Sequence, residues 1–163
     1  MKVIWAPWRI RYIEAPKPKG CFICEAAKSS DDRRNYVVYR GKNGFILMNL
    51  FPYNPGHLMV ATYRHVGNLE ELSKDELHEL MELIVLSVKL LKKAFKPHGF
   101  NIGINLGSVA GAGIEDHIHI HIVPRWLGDT NFMPILADVK VVPQALEETY
   151  SKLVNAVKDL LKR

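Results

Sequence analysis

Three histidines at alternate positions, His117, His119 and His121, stand near the end of this chain. In a β-strand, side chains two positions apart point to the same face, so the three imidazoles would share one side. The aliphatic residues that alternate with them would enter the core, namely Ile118, Ile120 and Ile122. Histidine titrates near neutrality and serves as nucleophile, proton carrier or metal ligand. Three histidines in register therefore predict a chemical site.

Length and composition indicate an ordinary globular protein. Its 163 residues suffice for one domain with a sizeable core, and 48% of them are apolar and 24% charged. No stretch approaches the roughly 20 apolar residues that span a bilayer, and the start lacks the basic-then-apolar order of a secretory signal. We therefore expect a soluble cytoplasmic protein. The net charge of +5 favours an anionic ligand, although the scattered basic residues suit a nucleotide as well as a nucleic acid.

Four strands are predicted before the histidine row. Residues 36–39 and 45–50 form a hairpin pattern around positions 41–44, where glycine and asparagine permit the reversal. A third strand follows at 57–63 and a fourth at 100–106. The first three of these strands predict a β-meander.

Two helices are predicted. Ser73-Lys-Asp-Glu76 is a capping box, because the serine oxygen accepts an orphan backbone N–H and the glutamate reaches back to the cap. The main helix behind it should stop at Pro97 and Gly99. Its apolar residues are expected in the core: Leu77, Leu80, Met81, Ile84, Leu86, Val88, Leu91 and Phe95. An amphipathic C-terminal helix is expected at 144–163.

A glycine-rich segment, residues 107–113, leads from the fourth strand to the histidine row. Glycines at positions 107, 111 and 113 permit positive φ and the close approach of a ligand. Successive N–H groups can then point into one concavity and hold an oxyanion. Beside three histidines, this loop is a candidate phosphate cradle.

Both cysteines, Cys21 and Cys24, form one Cys-x-x-Cys pair. In a reducing compartment this spacing indicates half of a zinc site or a redox pair rather than a structural disulfide, and it does not choose between the two. The preceding residues 1–20 are rich in aromatics and prolines. We expect this N-terminal arm to pack over the domain or across a subunit boundary.

The stretch from His117 to Val123 follows the pattern His-φ-His-φ-His-φ-φ, in which φ is apolar, and by this motif the chain resembles the histidine triad (HIT) family. The resemblance extends to Asn49, to the Pro55-Gly56-His57 turn, to the glycine loop and to the main helix. Three flanking segments resemble the family branch of diadenosine tetraphosphate (Ap4A) phosphorylases and related dinucleoside polyphosphate enzymes: Trp5-Ala-Pro-Trp-Arg9, Pro124-Arg-Trp126 and Gly128-Asp-Thr-Asn-Phe-Met133.

This resemblance implies an α+β protein with a HIT-like fold, which has a five-stranded antiparallel sheet and one main helix, joined here by the C-terminal helix. Residues 1–163 would form a single HIT domain, with residues 1–20 as an arm. The family usually forms homodimers in which the sheets of two copies join. The expected partner is a nucleotide or dinucleoside polyphosphate, with neither a membrane nor a nucleic acid.

The resemblance also implies roles for individual residues. In the family the middle histidine attacks the α-phosphorus of a nucleotide, so His119 would carry a nucleotidyl-histidine intermediate. Such an intermediate divides one difficult displacement into two easier ones. His121 would orient this imidazole or bind phosphate, and His57 would complete the polar cluster. Asn49 matches the position that binds ribose.

The phosphates would be held by four residues that match the family's phosphate-binding region: Asn105, Gly111, Ala112 and Gly113. At one point the chain departs from the family, because Ala112 and Gly113 replace a serine or glutamine. Contacts to the leaving group must then come from backbone groups or from side chains elsewhere.

A zinc-bearing subset of the family implies a metal site as well. Its ligands would be Cys21, Cys24, His65 and His117. Two cysteines and two histidines close a tetrahedral site, so this zinc would be structural rather than catalytic.

Other functions stay open. A catalytic metal site on the three triad histidines is disfavoured, because same-face residues of one strand stand about 6–7 Å apart and ligand bonds are about 2 Å long. A zinc-containing module that binds a nucleotide or nucleic acid without turnover agrees with the charge and the aromatic content. Within the family, a nucleoside phosphoramidate hydrolase is an alternative. The acceptor in Ap4A cleavage is either water or orthophosphate.

Overall fold

The computed structural model describes residues 20–129 and 144–162. Its helices are α1 (Phe22–Lys28), α2 (Lys74–Phe95) and α3 (Leu146–Leu161). Its strands are β1 (Val37–Arg40), β2 (Gly44–Met48), β3 (Leu58–Thr62), β4 (Gly99–Ile104) and β5 (His119–Arg125). Apart from Gly20, the N-terminal arm lies outside the described residues, as do residues 130–133 of the flanking signature.

The five strands form one antiparallel sheet in the order β1-β2-β3-β5-β4. The pairing of β3 with β5 places Met59 opposite His121 and Ala61 opposite His119. Among the described strands, β4 pairs with β5 alone and therefore forms one edge of this sheet. The α+β fold with a five-stranded antiparallel sheet, a main helix and a C-terminal helix is confirmed.

Helix α2 begins at the predicted capping box. The N–H of Glu76 donates to Ser73 Oγ at 3.2 Å, and the N–H of Ser73 donates to Glu76 Oε2 at 2.8 Å. The helix ends at Lys96, which takes a left-handed conformation with φ 49° ahead of Pro97. Within the described part of the chain, no helix is both long enough and apolar enough to cross a membrane.

The buried stripe of α2 is narrower than its sequence predicts. The expectation that Leu77 and Met81 are core residues is wrong, because their side chains are 44% and 60% exposed. The residues that face the core include Leu80, Leu83 and Leu90. The predicted set spreads too far around the helix for one sheet to cover it, so its outer members remain in contact with solvent.

Each face of the sheet carries an apolar core. The larger core packs α2 and α3 against one face and contains the three isoleucines predicted to be buried. The smaller core packs Ile23 of α1 against the other face, where it meets Phe45 and Met59. Because side chains alternate along β5, His119 and His121 lie on the same side of the sheet as α1.

Helix α1 is not evident from the sequence, because its seven residues are too short for a helical repeat. Arg40 of β1 anchors its end. The guanidinium donates to the carbonyl oxygens of Ala26, Ala27 and Ser29 at 2.8, 3.0 and 2.8 Å, and Nε donates to Asp32 Oδ1 at 2.8 Å. Carbonyl groups at a helix end lack intrahelical donors, so Arg40 satisfies them and ties α1 to the sheet.

Candidate active site

His119 is the first residue of β5, and only 7% of it is exposed. Its Nδ1–H donates to the main-chain oxygen of His117 at 2.8 Å. A neutral imidazole carries one proton, so this hydrogen bond leaves Nε2 with a free lone pair. Burial lowers the pKa of His119 and so favours the neutral form. The side chain is therefore held with one lone pair, on Nε2, that could serve as a nucleophile.

A chain of hydrogen bonds sets the tautomers of His57 and His121. The N–H of Tyr53 donates to His57 Nδ1 at 3.1 Å, so the proton of a neutral His57 lies on Nε2. This Nε2–H donates to His121 Nδ1 at 3.0 Å. His121 then keeps its own proton on Nε2, where it is a hydrogen-bond donor. Burial, followed by the proximity of His119, lowers the pKa of His121 to about 4.

The structure separates His117 from the other two triad histidines. Strand β5 begins at His119, so the expectation that all three histidines lie on one strand is wrong for His117, which stands two residues before it. His117 is fully buried, and its Nε2–H donates to the carbonyl oxygen of Thr62 at 2.8 Å. Its Nδ1 is thus free to act as a ligand. By contrast, the rings of His119 and His121 contact each other edge to face, with centroids 4.9 Å apart.

The four predicted metal ligands come together beside α1. Sγ of Cys21 lies 3.3 Å and Sγ of Cys24 lies 3.4 Å from Nδ1 of His117. Nδ1 of His65 lies 3.2 Å from both Cys24 Sγ and His117 Nδ1. A tetrahedron with ligand bonds of about 2.0–2.3 Å has edges of about 3.3–3.8 Å, so this spacing suits a central ion after a small expansion. The cluster could hold a metal ion.

An open cleft of about 490 Å³ lies beside His121. Its walls include His121 and Arg125 of β5, Asn101 and Gly103 of β4, and Asn105 just beyond β4. A volume of this order is typical of small-molecule sites. The cleft therefore offers room for a ligand beside His121.

The glycine loop partly satisfies its own amides. The N–H groups of Gly111 and Ala112 donate to carbonyl oxygens inside the loop at 2.9 and 3.2 Å. Among the described residues, the N–H of Gly113 makes no such bond. Asn105 lies in the cleft wall, and its Nδ2 donates weakly to Gly111 O at 3.4 Å. Phosphate binding here stays a prediction, for which the N–H of Gly113 and the amide of Asn105 are the available donors.

Asn49 lies directly after β2 and supports the next loop. Its N–H donates to the main-chain oxygen of His57 at 3.0 Å, and its Oδ1 accepts the N–H of Phe51 at 2.8 Å. The Oδ1 atom is therefore engaged within the protein, whereas Nδ2 is left as the donor for a ribose hydroxyl. The ribose role of Asn49 stays a prediction.

Sequence reasoning missed a polar network at the far end of the cleft. Arg125 donates to both carboxylate oxygens of Asp129, from Nε at 2.6 Å and from Nη2 at 2.9 Å, and its Nη1 donates to Asn101 Oδ1 at 2.7 Å. Asn54 Nδ2 donates to Asp129 Oδ2 at 2.9 Å. The hydrogen bonds from Arg125 lower the pKa of Asp129 well below its usual range. The sequence shows the Pro124-Arg-Trp126 segment only as a flanking signature, which carries no information about partners on other elements.

A family model described as HIT domain matches residues 31–126. A curated relative from Mycobacterium tuberculosis, AP-4-A phosphorylase, is 44% identical over 156 residues, which cover 90% of this chain and 79% of that protein. The asymmetrical bis(5'-nucleosyl)-tetraphosphatase of Schizosaccharomyces pombe is 37% identical over 93 residues, which cover 57% of this chain and 50% of that protein.

A solved structure shares the fold. It is a zinc-bound histidine triad family protein from Mycobacterium smegmatis, which is 21% identical and superposes with a TM-score of 0.70. The match covers 88% of this chain and 96% of that chain. This likeness supports the fold described above.

Proposed function

Because this chain belongs to the HIT domain family, we propose that it cleaves dinucleoside polyphosphates such as Ap4A through a nucleotidyl intermediate on His119. The observation that carries the proposal is the arrangement of His119, which is buried, has a lowered pKa and donates from Nδ1 to a main-chain oxygen. The 44% identity to AP-4-A phosphorylase over 90% of this chain supports the substrate class.

In the first step, Nε2 of His119 attacks the α-phosphorus of Ap4A. The P–N bond forms, the bond from the α-phosphorus to the bridging oxygen breaks, and ATP leaves with that electron pair. The Nε2–H of His121 is a donor for the non-bridging oxygens as negative charge develops on them, and so are Asn105 and the amide of Gly113. His57 acts through His121, because it fixes the tautomer that places this proton on Nε2.

In the second step, an acceptor attacks the phosphorus of the adenylylated His119. The P–N bond breaks, and the imidazole recovers its lone pair. Orthophosphate as acceptor yields ADP, whereas water yields AMP. We propose orthophosphate, since the relative that is similar over most of the chain is a phosphorylase.

The experiment incubates the protein with Ap4A and isotopically labelled orthophosphate and separates the nucleotides by chromatography. The expected products are unlabelled ATP and labelled ADP. Formation of ATP with AMP would assign water as the acceptor and keep the intermediate. Complete recovery of Ap4A, under conditions in which the protein is folded and loaded with metal, would reject the proposed function.

For the metal cluster we propose a structural zinc ion held by Cys21, Cys24, His65 and His117. Two sulfur and two imidazole donors suit zinc, and burial lowers the pKa of His117, which keeps this ligand neutral. With all four positions taken by protein atoms, the ion would supply rigidity and no open coordination site. Thiolate ligands persist in a reducing compartment, which supports a cytoplasmic location.

We also propose a homodimer that forms through β4. This strand is an edge of the sheet, and its residues Asn101, Ile102 and Gly103 are exposed. Edge strands present unpaired backbone groups that can pair with a second chain. Sedimentation or light scattering should give the mass of two chains, and a monomer at micromolar concentration would refute this assembly.

A further inference from the structure

The cleft continues from His121 along β5 as a trough on one face of the sheet. His121 and Arg125 share this face because they are four residues apart on the strand. In the pairing with β4, His121 stands opposite Gly103. A glycine has no side chain, so the space beside His121 stays open, and a Cβ built on Gly103 would meet nothing within 4 Å. Because His121 and Arg125 are four positions apart on the strand, their backbones are separated by about 13 Å.

The lining of this trough favours an anion. Among the described residues, Arg125 is the one lysine or arginine in the wall, and the wall includes no carboxylate. Its guanidinium is held in place by Asp129 and Asn101 through three hydrogen bonds. An arginine has five N–H donors, so two are left for a ligand. Because Asp129 offsets much of the charge of Arg125, this end of the trough offers oriented donors more than net positive charge.

Asn101 is oriented by the same network. Its Oδ1 accepts from Arg125, so the Nδ2 group must lie on the other side of the amide. This Nδ2 donates no hydrogen bond to another of the described residues. Asn54, which also lines the trough, is fixed by its bonds to Asp129 and to the carbonyl oxygen of Pro124 at 3.0 Å. The arginine and the amide of Asn101 thus present donors in fixed directions.

We propose that this trough binds the polyphosphate chain of the leaving nucleotide, and that Arg125 and Asn101 are its specificity-determining residues. The inference rests on the proposed cleavage of a dinucleoside polyphosphate. Cleavage beside His119 leaves an anionic chain of several phosphates that must continue away from the α-phosphorus. The glycine loop has Ala112 and Gly113 in place of longer polar side chains, so it lacks side-chain donors there. The trough supplies such donors on the adjoining strands.

The test compares two substrates with the same adenylyl group. Ap4A has a polyphosphate leaving group, whereas the p-nitrophenyl ester of AMP has a small aryl leaving group. Arg125→Gln and Asn101→Asp should each lower the ratio of kcat/KM for Ap4A to kcat/KM for the ester by about tenfold or more. Lys89→Gln on the exposed surface of α2 removes one positive charge elsewhere and should leave the ratio unchanged. Equal losses of kcat/KM for both substrates, or no loss of kcat/KM for either, would overturn the proposal.

A binding measurement separates this inference from the proposed reaction. Titration calorimetry with inorganic tripolyphosphate should show a dissociation constant about tenfold higher for Arg125→Gln than for wild type and Lys89→Gln. Equal affinity in all three proteins would overturn the subsite even if Ap4A is cleaved. Weakened binding in an enzyme that fails to cleave Ap4A would keep the anion site and reject the reaction. Circular dichroism and thermal midpoints establish that each variant is folded.

Discussion

The main-chain oxygen of His117 accepts the Nδ1–H of His119 at 2.8 Å, while the side chain of His117 belongs to the metal cluster. One residue thus contributes its imidazole to the proposed zinc site and its main-chain oxygen to the orientation of the proposed nucleophile. Displacement of His117 would break this hydrogen bond, and the imidazole of His119 would no longer be held in its present orientation. The proposed zinc site would therefore act on the proposed reaction through the position of His119.

Replacement of His119 by glycine should remove nearly all turnover of Ap4A, because no nitrogen remains to receive the nucleotidyl group. For residues of a covalent catalytic unit such losses reach about 10⁶-fold in kcat. Contacts of the nucleotide with other residues persist, so Ap4A should still bind. Initial rates and calorimetric titration measure the two quantities. Added imidazole, which fits the space left by the side chain, should restore part of the rate.

The control for this variant is His78→Ala, since His78 is an exposed histidine on α2 and lies outside the site. Its turnover should equal that of wild type. A His119→Gly variant that keeps more than a tenth of wild-type turnover would remove His119 from the covalent role.

The acidic limb of the pH profile should reflect the lowered pKa values of both His119 and His121. The folded-state pKa of His121, about 4, lies below the ordinary value of 6.5, so His121 stays neutral as the pH falls through 6.5 and becomes charged only near 4. Protonation of Nδ1 breaks the hydrogen bond from His57. In a two-step mechanism kcat/KM for Ap4A does not depend on the acceptor, so its profile should stay flat from pH 8 to 6 and fall near pH 4–5. An acidic limb centred on 6.5 would contradict this.

Replacement of Cys21 by serine should lower metal content and stability together. Wild type purified without chelator should carry about one zinc ion per chain, and the variant much less. Because the domain has its own core, the loss of the metal should lower the thermal midpoint by about 5–10 °C rather than unfold the chain. Elemental analysis measures the zinc content and calorimetry measures the thermal midpoint. His78→Gln, at a histidine outside the cluster, is the control and should match wild type in both. Zinc near zero in fully active wild type would refute the site.

Glu76 should stabilise the fold in a pH-dependent way. Its pKa falls from 4.5 to about 2, first because of the hydrogen bonds from Arg64 and then because of Ser73. A carboxyl group whose pKa is lowered on folding adds stability above its unfolded pKa, and this stability is lost as the pH falls through its folded pKa. Glu76→Gln should therefore lower the free energy of unfolding by about 1–3 kcal/mol at pH 7. The lower part of this range allows for solvent screening, because Arg64 is half exposed.

The difference in unfolding free energy between wild type and Glu76→Gln should shrink as the pH falls from about 4.5 to about 2. Urea unfolding at several pH values measures it. Glu82→Gln, an exposed position on the same helix, provides the matched control and should unfold like wild type. A constant difference between pH 7 and 2 would show that Glu76 acts by packing alone.

Features set by local sequence were predictable. Side chains alternate along any strand, so the burial of Ile118, Ile120 and Ile122 follows from the pattern alone and is confirmed. The capping box of Ser73 and Glu76 likewise involves neighbours in sequence. The grouping of Cys21 and Cys24 with distant histidines came from family resemblance, since spacing alone left a redox pair equally possible.

Features set by packing between distant segments were not predictable. The exposure of Leu77 and Met81 depends on the width of sheet that α2 covers. The network of Arg125 joins residues from β4, β5 and two loops, and a single sequence contains no signal of these pairings. The tautomer of His121 depends on Tyr53, which acts through its backbone N–H and therefore leaves no mark on residue choice.

Arg40 binds the last carbonyl groups of α1, and these contacts involve none of the four proposed metal ligands. The segment that bears Cys21 and Cys24 is therefore anchored against the sheet by hydrogen bonds that do not depend on the proposed zinc site. We expect the ion to enter and leave a chain that is already folded, so that occupancy follows the exchangeable pool in the cell. Metal loading would then be a reversible property of the mature protein rather than an event of its biosynthesis.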